Sequence, residues 1–236
     1  MEIRILFDNR KEDIQYLVGW GVSYLIDNHL LFDAGENADM LFHNMRSMGV
    51  RPDLISKVII SHEHWDHVGG LWHLITSRPG LPVYVCPGFS QEFKDKVTSF
   101  GANMIEVEPY MEIDKNIFTS GEIAGTCRYG KIPEQAIILR SEKGVTIITG
   151  CAHNGITDII KAIRFRMSEP ISLVLGGFHT LDSEEIVIRS VVNMFKEMGV
   201  ARVAPAHCTG DEAILFFKEV YGDDFIEVAV GKTLQV

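Results

Sequence analysis

Apolar positions in this chain fall into two spacings, and the alternation between them predicts the architecture. Continuous apolar runs at residues 3–7, 21–26 with 30–32, 58–60, 82–86, 136–140 with 145–149, 171–175 and 203–204 predict buried strands, most of them bounded by Gly, Pro, Asn or Asp. Two of the pairs read as hairpins, turning at Asp27-Asn28 and at Glu142-Lys143-Gly144. Between the strands the spacing changes to three or four: Met40, Leu41, Met45 and Met48 predict an amphipathic helix over residues 37–48, stopped by Gly49. Residues 71–77, 91–100, 156–167 and 211–221 read as helices too. Ser183 is expected to cap a helix running to Met198, because its hydroxyl can accept from free backbone N–H groups while Glu184 and Glu185 favour the amino end. Residues 103–119 predict short strands with turns at Tyr110 and Asp114-Lys115-Asn116, and residues 126–135 read as a loop.

The polar residues at the ends of the apolar runs change the picture. After Val58-Ile59-Ile60 comes Ser61-His62-Glu63-His64-Trp65-Asp66-His67-Val68-Gly69-Gly70, where three histidines and one aspartate fall within six residues. That is a ligand composition, set in a loop at the carboxyl end of a strand, where open α/β folds carry their chemistry. His62 and His64 alternate across one residue, so an extended backbone lets both imidazoles converge on one cation while Asp66 and His67 turn toward a second. Of nine histidines, His153, His179 and His207 also follow predicted strands in Gly- or Pro-rich loops. His43 lies within a predicted helix, His29 in a turn and His73 one helical turn beyond the motif; all three are read as surface or internally satisfied residues.

His-x-His-x-Asp-His after a strand, followed by Gly69-Gly70-Leu71, resembles the signature of the metallo-β-lactamase-fold superfamily, and Asp33 in Leu31-Phe32-Asp33-Ala34-Gly35 matches its upstream structural aspartate. Within that superfamily, Gly150-Cys151-Ala152-His153-Asn154-Gly155, Gly176-Gly177-Phe178-His179 and Pro205-Ala206-His207-Cys208-Thr209-Gly210 resemble the branch of dihydropterin-(ribofuranosyl)aminobenzene-phosphate synthase-like proteins. The resemblance implies an α/β fold, the αββα four-layer sandwich, with residues 1–236 as a single metallo-β-lactamase-like domain. It further implies that His62, His64 and His153 hold one metal and that Asp66, His67 and His207 hold the other. Imidazole with carboxylate suits two divalent transition-metal ions, Zn in the first place and Fe or Mn as alternatives. Two positions depart from the superfamily pattern. Cys151 stands where a bridging aspartate is usual, and is either a thiolate ligand or a small residue beside one; the loop at 126–135 carries no histidine, so His153 takes that place.

Composition narrows the function. A chain of 236 residues with 46% hydrophobic content has the size of one large core, with almost no length left for a nuclease-type insertion. The formal charge of −10 argues against a phosphate-backbone partner, and no run approaches the ~18 apolar residues of a membrane span. The amino terminus shows no export signal, and Cys86, Cys127, Cys151 and Cys208 show no paired spacing, so free thiols in a cytoplasmic setting are expected. The expected partner is a small-molecule substrate, with no nucleic acid and no membrane; the oligomeric state is left open.

These observations lead to a metal-dependent hydrolase of a small anionic ester or phosphoester, using a metal-bound hydroxide formed by lowering the pKa of water from about 15.7 toward ~7. Asp66 and His179 are the catalytic candidates. His179 is surplus to the six ligands, which leaves it as a further ligand, a substrate contact, a proton donor or a hydrogen-bonded loop residue. His179, Thr209 and Arg128 are the candidates for substrate binding. The helix starts after Gly155 and Gly210 also aim backbone N–H groups at anions, and Lys131 is a weaker candidate. The branch resemblance supplies the alternative, a transferase joining a dihydropterin diphosphate to an aminobenzene ribofuranosyl phosphate. A redox or sensor di-iron module is the third reading, weakened by the absence of a fused flavin-binding domain.

Overall fold

The computed structural model describes residues 1–127 and 130–236, without the side chains of 124–127 and 131. Two compact units emerge, one of residues 1–108 with 228–235, the other of residues 109–227 with 236. Among the described residues no helix is long and apolar enough to cross a membrane.

In the first unit, β1 (Glu2–Phe7) leads to the hairpin β2 (Ser23–Ile26) and β3 (Leu30–Phe32). Asp27 and Asn28 close this hairpin at φ 45° and 61°, the left-handed region that short polar side chains tolerate best. Helix α1 (Ala38–Ser47) follows, with the Asn37 side chain accepting from Met40 N and Gly49 ending it at φ 67°. Then come β4 (Lys57–Ile59), α2 (Trp65–Val68), α3 (Leu71–Ser77), β5 (Pro82–Val85), α4 (Gln91–Ser99) and β6 (Asn103–Glu106). The C-terminal strand Thr233–Gln235 pairs antiparallel with β1, giving the order C-terminal strand, β1, β2, β3, β4, β5, β6. Pairing is antiparallel up to β3 and parallel from β3 through β6. Strands β2 and β3 are buried throughout, as strands covered on both faces must be apolar on both. Leu25, Leu31, Val58 and Val83 pack in one cluster with Leu41, Met45, Leu71, Ile75, Phe93 and Val97 of the helices.

In the second unit, β7 (Glu112–Asp114) and β8 (Ile117–Thr119) form a hairpin, with Tyr110 and Asn116 at positive φ near the expected turns. Residues 126–135, expected to be a loop, lie mostly in a two-stranded ribbon: β9 (Ile123–Cys127) pairs with β10 (Gly130–Glu134) from Glu134↔Ile123 to Gly130↔Cys127. Gly, Thr and Pro in this stretch hide the strand pattern, which register supplies instead. Next come β11 (Ile137–Ser141), β12 (Gly144–Thr149), α5 (Ile156–Arg166), β13 (Ile171–Gly177), α6 (Glu185–Glu197), β14 (Val203–Ala206) and α7 (Asp211–Tyr221). The main sheet runs β14, β13, β12, β11, β8, β7, parallel from β12 to β14 and antiparallel elsewhere. Ser183 is not the cap of α6: its N–H donates to Thr180 O in a preceding turn, and Glu184 becomes the N-cap with its carbonyl accepting from Val187 and Ile188 N. Phe178, Phe195 and Phe217 meet with ring centroids 5.1–5.3 Å apart, fixing α6 and α7 to the end of β13.

Both sheets thus change from antiparallel to parallel pairing, and every metal-ligand candidate lies beyond the carboxyl end of a parallel strand. One glycine shows how closely the first unit is built around its motif. Gly21 sits at φ 99°, and a Cβ there would come 1.7 Å from Asp66 O. Gly21→Ala is expected to destabilise the protein by roughly 2–4 kcal/mol in urea unfolding, since strain and displacement of the Asp66 backbone add. A change within experimental error would remove the claim that this contact fixes the motif.

Candidate metal centre

In the first unit, His62 and His64 follow β4, and His64 is extended at φ −67°, ψ 146°, as convergence of alternate imidazoles requires. Asp66 and His67 are not in a loop: they lie in the one-turn helix α2, held by His67 N donating to His64 O and Ala34 N donating to His67 O. The rings of His62 and His64 are 4.7 Å apart and those of His62 and His67 4.1 Å. Donor atoms of His62 and His64 lie within 4.8 Å of each other, as do those of Asp66 and His67. Glu63 points elsewhere; its carboxylate accepts from Ser90 N and Ser90 Oγ at the start of α4.

The Asp33 carboxylate organises this set. It is fully buried at φ 56° and accepts from Ser61 N at 2.7 Å, Ser61 Oγ at 2.6 Å and His67 Nδ1 at 2.6 Å. Because the Ser61 hydroxyl gives its proton to Asp33, His62 Nδ1, 2.8 Å from Ser61 Oγ, is the donor to that oxygen. One carboxylate therefore engages Nδ1 of two rings, directly for His67 and through Ser61 for His62, so that in the neutral rings Nε2 is the unprotonated nitrogen. Burial opposes an imidazolium at His67, but the charge and hydrogen bond of Asp33 overcome it and push His67 up to about 10 in the metal-free chain. The hydrogen bond to Asp33 occupies Nδ1 of His67. Asp33→Ala should destabilise the protein by about 3–5 kcal/mol in chemical denaturation, because the Ser61 and His67 donors lose their buried acceptor. Wild-type stability in that variant would show that the carboxylate is not the anchor.

In the second unit, Cys151 and His153 follow β12, His179 follows β13 and His207 follows β14. Ala152, His179 and His207 occupy left-handed φ of 60°, 53° and 47°, like Asp33. Non-glycine residues hold such angles only where their surroundings impose them, and here they mark the ends of parallel strands. Gly177 permits the close approach of these turns, since a Cβ there would meet Gly150 O at 2.4 Å and Cys208 Sγ at 2.7 Å. Donors of Cys151, His153 and His179 lie mutually within 4.8 Å, and those of Cys151 and His207 do too. The His153 and His179 rings are 4.4 Å apart.

Two residues here were not singled out by the sequence pattern. Glu134 is buried and accepts from the N–H groups of Cys151, Ala152 and His153. Burial works against its charge, yet the His153 hydrogen bond and charge together with the backbone donors hold its carboxyl below the usual range. Its one sequence signal is a lone acid between Ile132-Pro133 and Ala136-Ile137. Cys208 is a buried thiol whose Sγ donates to Cys151 O at 3.5 Å. Burial disfavours its thiolate, but hydrogen bonds with the Cys151 and His179 side chains hold the thiol well below the ordinary value. The Cys208 partner correspondingly raises exposed His179, with burial opposing.

The remaining candidates fall as follows. The Thr209 hydroxyl is buried and accepts from Phe178 N at 3.0 Å, tying the β13 and β14 turns. Arg128 lies outside the described residues, and so does the side chain of Lys131. The three excluded histidines are engaged elsewhere: His43 Nε2 with Gln15 O, His29 Nδ1 with Asp27 O, and the His73 ring edge-on to Phe42 at 4.7 Å. The free cysteines Cys86, Cys151 and Cys208 are all buried.

Two mixed sheets with helices, and histidine-rich turns at the ends of their parallel strands, define the metallo-β-lactamase fold. Comparison with known proteins agrees with that fold: the family model "Metallo-beta-lactamase superfamily" matches residues 19–131. It is 26% identical to the 7,8-dihydropterin-6-methyl-4-(beta-D-ribofuranosyl)-aminobenzene-5'-phosphate synthase of Methanocaldococcus jannaschii, over 91% of this chain and 89% of that protein. A solved structure described as a metal-dependent hydrolase of the beta-lactamase superfamily is 29% identical, with a TM-score of 0.84 over 100% of this chain and 99% of its own. A metallo-beta-lactamase fold protein from Bacillus subtilis shares the fold at 15% identity, with a TM-score of 0.72 over 99% of both chains.

Proposed function

We propose that this chain is a metal-dependent hydrolase of a small anionic ester or phosphoester. The observation that carries this reading is the Asp33 network, which holds buried His62 and His67 through Nδ1, beside buried Asp66 and half-buried His64. His62, His64 and His153 are proposed to hold one divalent transition-metal ion, and Asp66, His67 and His207 the other. The donors fit such ions chemically: neutral imidazoles with one carboxylate suit zinc, and iron or manganese as well. Bound there, such ions would supply a water of lowered pKa and a Lewis acid for the substrate's ester or phosphoryl oxygen.

The chain's own residues supply the rest. Asp33 and Ser61 keep the first-unit imidazoles from turning as charge develops, so no reorganisation is needed during turnover. His179 is exposed, pairs with Cys208 and lies outside the six-ligand set; it binds substrate and carries a proton to the leaving oxygen. Cys151, with its donor close to those of His207 and of His153, is proposed as a seventh ligand in the place where the superfamily pattern has an aspartate. The 26% identity to a synthase supports a second reading, in which the same ions hold a diphosphate leaving group while a dihydropterin is joined to an aromatic acceptor. A substrate panel decides: phosphomonoesters and phosphodiesters turned over without an acceptor support the hydrolase, whereas turnover of a dihydropterin diphosphate only with an aminobenzene acceptor supports the transferase.

Emission spectroscopy on the purified chain should find up to two transition-metal ions, and Asp66→Ala with His67→Ala should lose one; unchanged metal content would overturn the ligand assignment. His179→Ala should lower turnover by a factor on the order of 10²–10⁴ with metal retained. Loss of metal in that variant would make His179 a ligand instead. Cobalt-substituted protein should show a sulfur-to-metal charge-transfer band that disappears in Cys151→Ser, and a band that survives would exclude Cys151.

A further inference from the structure

The second unit contains an ionised side chain that the proposed chemistry does not use. Glu134, the last residue of β10, is 1% exposed, and its carboxylate is fully engaged. Oε1 accepts from Cys151 N at 3.0 Å and Ala152 N at 2.8 Å. Oε2 accepts from His153 N at 2.7 Å and lies 3.2 Å from His153 Nδ1. Three consecutive backbone N–H groups pointing at one carboxylate can exist only if the chain turns sharply around it, and Ala152 takes φ 60° to make that turn. An ionised carboxylate has no proton to give, so His153 Nδ1 is the donor and Nε2 is the atom left over.

We infer that Glu134 is a positioning residue for His153 and Cys151: it shapes the turn that carries both and selects the tautomer in which His153 offers Nε2 to a cation. Glu134 therefore does in the second unit what Asp33 does in the first. Each carboxylate is buried, accepts both backbone and imidazole N–H groups, and stands behind a histidine at the end of a parallel strand. The negative charge behind the ring also raises the donor strength of Nε2. The arrangement accounts for a missing feature of the sequence, since residues 126–135 hold no histidine: here that stretch contributes the acid that orients His153 from the next turn. Glutamine cannot replace it, because an amide offers one acceptor oxygen and turns two hydrogens toward the His153 donors.

That His153 binds metal rests on the function proposed above; its tautomer does not, and the test separates the two. Long-range proton–nitrogen NMR on metal-depleted, nitrogen-15 histidine-labelled wild-type chain, at alkaline pH where imidazole is neutral, should show His153 as the Nδ1–H tautomer. In Glu134→Gln the signal should move toward Nε2–H, and zinc affinity measured by chelator competition should fall about 10–100-fold. Glu134→Asp, which keeps the charge, should recover part of both. An Nε2–H signal in wild type overturns the inference even if the variants do not fold, and an unchanged tautomer in a folded Glu134→Gln does the same. A tautomer that responds to Glu134 in a chain that binds no zinc would sustain the positioning role and overturn the metal assignment alone.

Discussion

A carboxylate removed from bulk solvent must be well hydrogen-bonded or the fold loses stability, and that constraint at Asp33 shapes everything around the motif. Desolvating an unpaired charge costs several kcal/mol, more than most single contacts return. Asp33 meets this demand with a backbone N–H, a hydroxyl and an imidazole, all from the segment after β4. The same three bonds that make burial tolerable therefore decide which way His67 points and, through Ser61, which nitrogen of His62 is protonated. Stability and ligand geometry are one arrangement here. A substitution that relaxes one must disturb the other.

The fold places this arrangement by switching its sheets from antiparallel to parallel. Antiparallel strands can turn back within a few residues, as β2 and β3 do across Asp27, Asn28 and His29, and leave little room for chemistry. Parallel strands must be joined by longer connections, and the turns after β3, β4, β12, β13 and β14 carry Asp33, the His62–His67 segment, His153, His179 and His207. Four non-glycine residues of these turns adopt left-handed angles, which lets side chains leave the strand ends without extending the strand. The packed phenylalanines Phe178, Phe195 and Phe217 hold the His179 turn from below, so the exposed imidazole stands on a fixed base.

Much of this was legible in the sequence because local and global preferences agree. Helix α7 spans the predicted residues, its apolar Ala213, Ile214, Phe217 and Tyr221 lying on one buried face behind a glycine start. The hairpin of β2 and β3 was marked by two residues that tolerate positive φ. What was not legible depends on partners distant in the chain. The β9–β10 ribbon lacks apolar alternation and exists through mutual pairing. Ser183 has the right chemistry for a cap but is used by the turn before it. Asp66 and His67 read as loop ligands, whereas hydrogen bonds from Ala34 N to His67 O and from His67 N to His64 O coil them into a helical turn. Glu134 shows the limit most clearly: an acid is visible in the sequence, but the three N–H groups that make it useful lie 17 to 19 residues later.

The central claim of the proposal is that buried carboxylates fix imidazole tautomers so that two ions would be held through Nε2. Diffraction from zinc-loaded crystals, recorded on both sides of the metal absorption edge, tests it most directly. The account predicts two anomalous peaks. One should lie about 2.0–2.1 Å from Nε2 of His62, and the other at that distance from Nε2 of His67, with Asp66 also bound. A single peak, or zinc attached through Nδ1 of either ring, would contradict it.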